Sequence, residues 1–168
     1  GRPYRILELY GRAPGEPDTG VRWTPEQSFT QIRATETTHP YLRGRDIRGV
    51  ADPASWDASR GDSSADIADR YGVYFEPGDH KRLPGWMQVH YRLAFDEAGL
   101  PMQYEFRNSR DTRRTLPLLR YDAHAPEDVD TRQEDHIADE IRYLCQSNPI
   151  APRPAVQRTP KVFAPLSN

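Results

Sequence analysis

The first patterned segment, "PYRILELYGR" (3–12), sets Tyr4, Ile6 and Glu8 on one side against Arg5, Leu7 and Leu9 on the other. Apolar residues on both sides predict a strand covered at least partly on both faces. A Pro and Gly loop follows. "TPEQSFTQIRATE" (24–36) then opens with a Thr able to cap and a Pro at the first helical position, and it spaces Phe29, Ile32 and Arg33 at helical intervals, so a helix is predicted. "DIRGVADP" (46–53) reads as the next strand, "SSADIADRYG" (63–72) as a short helix stopped by Gly72, and "VYFE" (73–76) as a strand.

In "PGWMQVHYRLAFDEAG" (84–99), Trp86, Val89 and Leu93, with Met87 and Tyr91, recur at spacings of three and four between Pro84 and Gly99, which predicts a helix. "MQYEF" (102–106) is read as a strand, "SRDTRRTLPLL" (109–119) as a helix broken near Pro117, and "QEDHIADEIRYLCQ" (133–146) as the last helix. Strands alternating with helices imply an α/β sheet with crossover connections. From Ser147 onward the chain carries five prolines and no periodicity. That divides it into a folded domain over 1–146 and a proline-rich, disordered or draped tail over 147–168.

Composition narrows this picture without changing it. A chain of 168 residues has room for one domain of ordinary size. Its hydrophobic fraction of 36% and charged fraction of 29% make it wetter than an average globular chain, and the 16 prolines fit long loops or an unfolded tail. The net charge of -2 excludes a general basic field, so any nucleic-acid contact has to come from a local patch. Cys145 is the single cysteine, which fits a reducing cytosol and a small core residue. No apolar run approaches a membrane span.

Candidate chemistry begins at "RGVADPASWD" (48–57), where a short apolar strand ends in Asp52 and Pro53 blocks its extension. In open α/β sheets, ligand sites gather beyond the carboxyl ends of strands. An Asp before Pro also makes ordinary turns, and that alternative stands beside the functional one. On the last helix Ile137, Ile141, Leu144 and Cys145 form an apolar stripe, while Asp135 and Asp139 share the other side with His136 and Tyr143 on a flank. This reads either as a solvated acidic face or as a pair of carboxylates whose mutual repulsion a divalent cation would reverse. Lys81, Arg82 and Arg92, with Arg110, Arg113 and Arg114, are candidate phosphate contacts or plain surface charges. Trp56 and Trp86 suit core or loop anchors better than base-stacking platforms.

"GVADPASWD", "HKRLPGWMQVHYRL", "GLPMQYEF", "RTLPLLRYD" and above all "PEDVDTRQEDHIADEIRY" together resemble, in order and spacing, the C-terminal nuclease domain of tailed-phage terminase large subunits. The resemblance runs from "YRILELYG" to Tyr143. It implies an RNase H-like fold of the RuvC and retroviral-integrase type, a mixed sheet flanked by helices. In that family acids from strands and the last helix hold two Mg²⁺ or Mn²⁺ ions and cut concatemeric double-stranded DNA during genome packaging. Such ions would activate the attacking water and stabilise the leaving oxygen. Matched residue by residue, Asp52 takes the place of the strand-end acid and Asp139 that of the last-helix acid. Asp135 and His136 fall beside the metals, His136 as an orienting or auxiliary group or a plain surface histidine.

The resemblance also implies departures. The family's first strand, which brings another metal-binding aspartate, precedes "YRILELYG", so an N-terminally truncated domain that cleaves DNA poorly is expected. No G-x-x-x-x-G-K-[ST] occurs, so the ATPase half of the motor is absent from this sequence. Implied partners are double-stranded DNA, the portal protein, the terminase small subunit and the ATPase domain of the full-length protein, in the host bacterial cytoplasm at the procapsid portal. Unpaired strand edges make self-association a further expectation. The alternatives are a resolvase or transposase of the same fold, and a non-catalytic module that docks to portal protein or DNA.

Overall fold

The computed structural model describes residues 1–13, 15–16 and 19–151. Most of the predicted tail, from 152 on, and part of the Pro and Gly loop after the first strand lie outside these residues. Among the described residues the chain is mixed α/β, with five α-helices and four short strands. The strands are β1 (Tyr4–Arg5), β2 (Gly49–Ala51), β3 (Phe75–Pro77) and β4 (Tyr104–Glu105). The helices are α1 (Pro25–Thr38), α2 (Ser64–Arg70), α3 (Arg82–Leu93), α4 (Arg110–Thr115) and α5 (His136–Ser147). No helix among them is long and apolar enough to cross a membrane.

Local chemistry accounts for the helix boundaries. Thr24 and Gln27 form a reciprocal capping box before α1, and Ser63 and Asp66 form another before α2. Gly72, at φ +72°, ends the turn after α2 as expected. Pro117 falls in a 3-10 turn over Leu116–Leu118 that closes α4, which is the expected break. The helix predicted over 84–99 differs. It begins two residues earlier at Arg82 and ends at Leu93, because Ala94 is extended and Asp96 instead holds a turn through Leu100.

The strands depart further from expectation. In place of one mixed sheet the described residues form two parallel pairs, β1 with β4 and β2 with β3. Of the ten-residue segment expected to be a strand, Tyr4–Arg5 pair with β4 and Arg12 makes an isolated bridge to Gly20. Between them the segment is held in part by side chains. Glu8 accepts from the backbone N–H groups of Asp111 and Thr112, both at 2.9 Å, and so serves the start of α4 as a cap from a distant segment. Between the two strand pairs lies an open cavity of about 420 Å³, bordered by Leu7, Leu9, Val50, Phe75 and Leu144.

Burial concentrates in the helices. Trp86 and Val89 of α3 pack against Ile137, Ala138, Ile141 and Cys145 of α5, and all six are buried. Leu144, expected in this apolar stripe, is exposed, and the buried Arg142 and Tyr143 widen the covered face instead. The close approach has one geometric requirement. A Cβ at Gly85 would lie 2.5 Å from Cγ of Arg142, so only glycine lets α3 and α5 meet at this distance. At the far end of α3, Arg92 is buried and donates to the carbonyl oxygens of Gly1 at 2.6 Å and Asn148 at 2.5 Å.

Candidate active site

Asp52 follows the last residue of β2 and caps the 3-10 turn Pro53–Trp56, accepting from the Ala54 N–H at 2.8 Å through Oδ1. The turn reading is therefore present. It does not exhaust the residue, because Oδ2 accepts from the Tyr143 hydroxyl of α5 at 2.6 Å. Gly78 makes room for this reach, since a Cβ there would stand 2.4 Å from the Tyr143 ring. The Tyr143 hydroxyl, then the Ala54 N–H, hold the Asp52 carboxyl below the usual carboxylate range, and Arg142 adds to the effect. Burial, then the bond to Asp52, push the Tyr143 hydroxyl up.

Asp139 stands one helical turn before Tyr143. It accepts from Nε of Arg142 at 3.0 Å and from Nη1 of Arg82 at 3.3 and 3.4 Å. Arg142 lies with its guanidinium carbon 4.3 Å from the Tyr143 ring centre and 5.7 Å from that of Trp86. Arg82 faces the same indole at 5.6 Å and directs Nε at both oxygens of Asp128, at 2.8 and 3.0 Å. Asp128 also accepts from Nε1 of Trp86 at 2.6 Å and from the N–H of Val129 at 2.7 Å. Burial alone would raise the Asp128 carboxyl; the Arg82, Val129 and Trp86 donors outweigh it and hold it low.

Asp52 and Asp139, far apart in sequence, thus belong to one connected network around α5. Of the other expected residues, Arg82 belongs to this network and Asp135 stands beside it, while the rest fall elsewhere. Asp135 is buried at the start of α5, and burial first, then the neighbouring Asp139, raise its carboxyl. His136 lines a small cavity with Tyr10, Gly11, Arg12, Thr19 and Gly20, on the side of the loop after β1, and acts electrostatically on Asp135. Among the candidate phosphate contacts, Arg92 is corrected: it is 3% exposed and committed to two carbonyl groups, so it cannot meet DNA. Arg114 is tied to Glu134 and Asp111, and Arg113 donates to the carbonyls of Arg107 and Ser109. Lys81 is exposed beside Asp79.

The sequence reading did not assign Asp128, Arg142 or Tyr143 to the site. For the last two a signal was present, since positions three and four after Asp139 share its helix face. A second network was missed as well. Glu134 accepts from both Arg114 and Tyr10, and Arg114 also donates to Asp111. The Arg114 guanidinium, with help from the Tyr10 hydroxyl, lowers Glu134 to about 2.

Oxygen donors are the right class for Mg²⁺ or Mn²⁺. As arranged, however, the acids do not fit such an ion. Both Asp52 oxygens accept internal bonds, Asp139 faces two guanidiniums, and no group of three or more His, Cys, Asp or Glu among the described residues is placed to hold a metal. Set against protein-family models, curated proteins and solved structures, the chain matches none.

Proposed function

We propose that the chain is the RNase H-like nuclease body of a tailed-phage terminase large subunit. The observation that carries this reading is the junction of Asp52, at the end of β2, with Asp139 on α5 through Tyr143 and Arg142. Two acids joined there are the two that the motif resemblance singles out.

Asp52 is ionised and oriented by Ala54 and Tyr143. Asp139 is ion-paired with Arg142 and Arg82. In the family, a further aspartate from a preceding strand completes the site for two Mg²⁺ or Mn²⁺ ions and for cleavage of double-stranded DNA. With both Asp52 oxygens bonded internally and Asp139 paired with two guanidiniums, this chain cuts DNA weakly or not at all. Portal protein, the small subunit and the ATPase domain of the full-length protein are the proposed partners, at the procapsid portal in the bacterial cytoplasm.

Plasmid nicking with Mn²⁺ tests the activity: trace or no cleavage is expected, and robust cleavage abolished by Asp52→Ala would overturn this. The terminase assignment has its own test in the coding sequence upstream of Gly1. There a strand ending in aspartate and a G-x-x-x-x-G-K-[ST] motif are expected, and an intact upstream reading frame with neither removes the assignment. One observation favours a second reading, a docking module that binds portal protein or DNA without cutting: the acids are already neutralised by guanidiniums.

A further inference from the structure

The disagreement between the acids and a divalent cation has a specific source. Two guanidiniums face Asp139, and they are not held alike. Arg142 is 2% exposed, is packed against two aromatic rings and approaches Asp139 to 3.0 Å. Arg82 is 27% exposed and approaches the same carboxylate only to 3.3 Å. One of its donors, Nη2, is buried with no acceptor among the described residues, an arrangement that costs free energy. Arg82 also occupies the first turn of α3, which has no side-chain cap, and a cation there opposes the helix dipole. It is kept in place by Asp128, whose two oxygens accept from Nε at 3.0 and 2.8 Å, by Asp139 and by the Trp86 ring, 5.6 Å from the guanidinium carbon.

Departure of Arg82 leaves each carboxylate with a donor on one oxygen: Oδ1 of Asp128 retains the Trp86 indole N–H and the Val129 N–H, and Oδ1 of Asp139 retains Arg142, while both Oδ2 atoms give up Arg82. The planar fork that leaves is the group best matched to a phosphate, with two parallel N–H donors for two oxygens.

We propose that Arg82 is a displaceable counter-cation of this site, which holds Asp139 in the resting chain and releases it when a DNA phosphodiester takes the guanidinium. This rests on the nuclease reading and adds to it a coupling between backbone contact and exposure of the acid.

Two measurements on the whole chain test it. The first follows the Arg82 Nε–H resonance, assigned by its loss in Arg82→Lys, during addition of a short DNA duplex or of inorganic phosphate at equal phosphate concentration. The duplex is expected to move it further than inorganic phosphate. An unmoved resonance overturns the proposal, and an equal or larger response to inorganic phosphate overturns DNA as the ligand. The second is Mn²⁺ calorimetry. Arg82→Gln is expected to bind Mn²⁺ about tenfold or more tightly than the unsubstituted chain, because one adjacent positive charge is gone. Adding Asp139→Asn should remove that gain, and unchanged affinity in a folded Arg82→Gln chain overturns the proposal. If Arg82→Gln does not fold, the resonance decides alone. Nicking enters neither measurement, so a chain that cuts no DNA leaves the proposal standing, and a null in both leaves the terminase assignment to its own test.

Discussion

The α3–α5 pair and the strand pairs of this protein hold together by different means. The two helices bury Trp86, Val89, Ile137, Ala138, Ile141 and Cys145 against one another, whereas every residue of the four strands retains some exposure. On the strand side the connections are directed bonds and a few ring contacts: Glu8 caps α4, Asp52 is held by Tyr143, Tyr4 stacks on Tyr104 and Phe75 meets Phe29. The helices therefore carry the stability, and the strand ends are positioned against them by a few directed bonds. A candidate site built this way depends on the helix pair twice, for its scaffold and for the hydroxyl and guanidinium groups that orient its acids.

Substitutions on the two sides should therefore differ in size. The largest effect is expected at the core of the helix pair, where Ile137→Ala removes a 2% exposed side chain and should cost about 2–5 kcal/mol in urea unfolding. Gly85→Ala comes next. Its methyl group would press on Arg142 and Gln146, and a loss of about 1–3 kcal/mol is expected, with the α3–α5 spacing forced apart. A neutral or stabilising Gly85→Ala would show that the close approach is not needed.

The smallest effect belongs to the strand end. Tyr143→Phe removes one hydrogen bond to Asp52 and should cost about 1 kcal/mol at neutral pH. The pH dependence has a definite sign. Because the folded Asp52 carboxyl is held below its unfolded value, its contribution is complete above the usual carboxylate range and is lost as pH falls through the lowered folded value. Unfolding midpoints of the two proteins should converge in acid; a gap that persists there would assign the effect to packing of the Tyr143 ring.

Legibility in the sequence followed the same division. The helices were visible because their signals are local: Thr24 and Pro25 mark the start of α1, Pro117 marks the break after α4, and Trp86 and Val89 show the spacing of α3. Strand pairing is decided by distant segments, so "PYRILELYGR" revealed its apolar alternation but not that only Tyr4–Arg5 would join a strand ladder. Asp52 was legible from a strand running into Pro53, and Asp139 from its place on a helix. Their partners divide likewise, with Arg142 and Tyr143 within one turn of Asp139. Asp128 lies 46 residues from Arg82, and Asp139 lies 57 from it, and no spacing rule connects them.

Arg92 joins the two ends of the described fold, taking hold of Gly1 and Asn148 with the same guanidinium. Mechanical tension applied at those ends would reach the last turn of α3 before it reached either strand pair. The first element to yield under load is then a pair of side-chain bonds in parallel with the intervening chain, and the β ladders stay shielded until that fastening has opened.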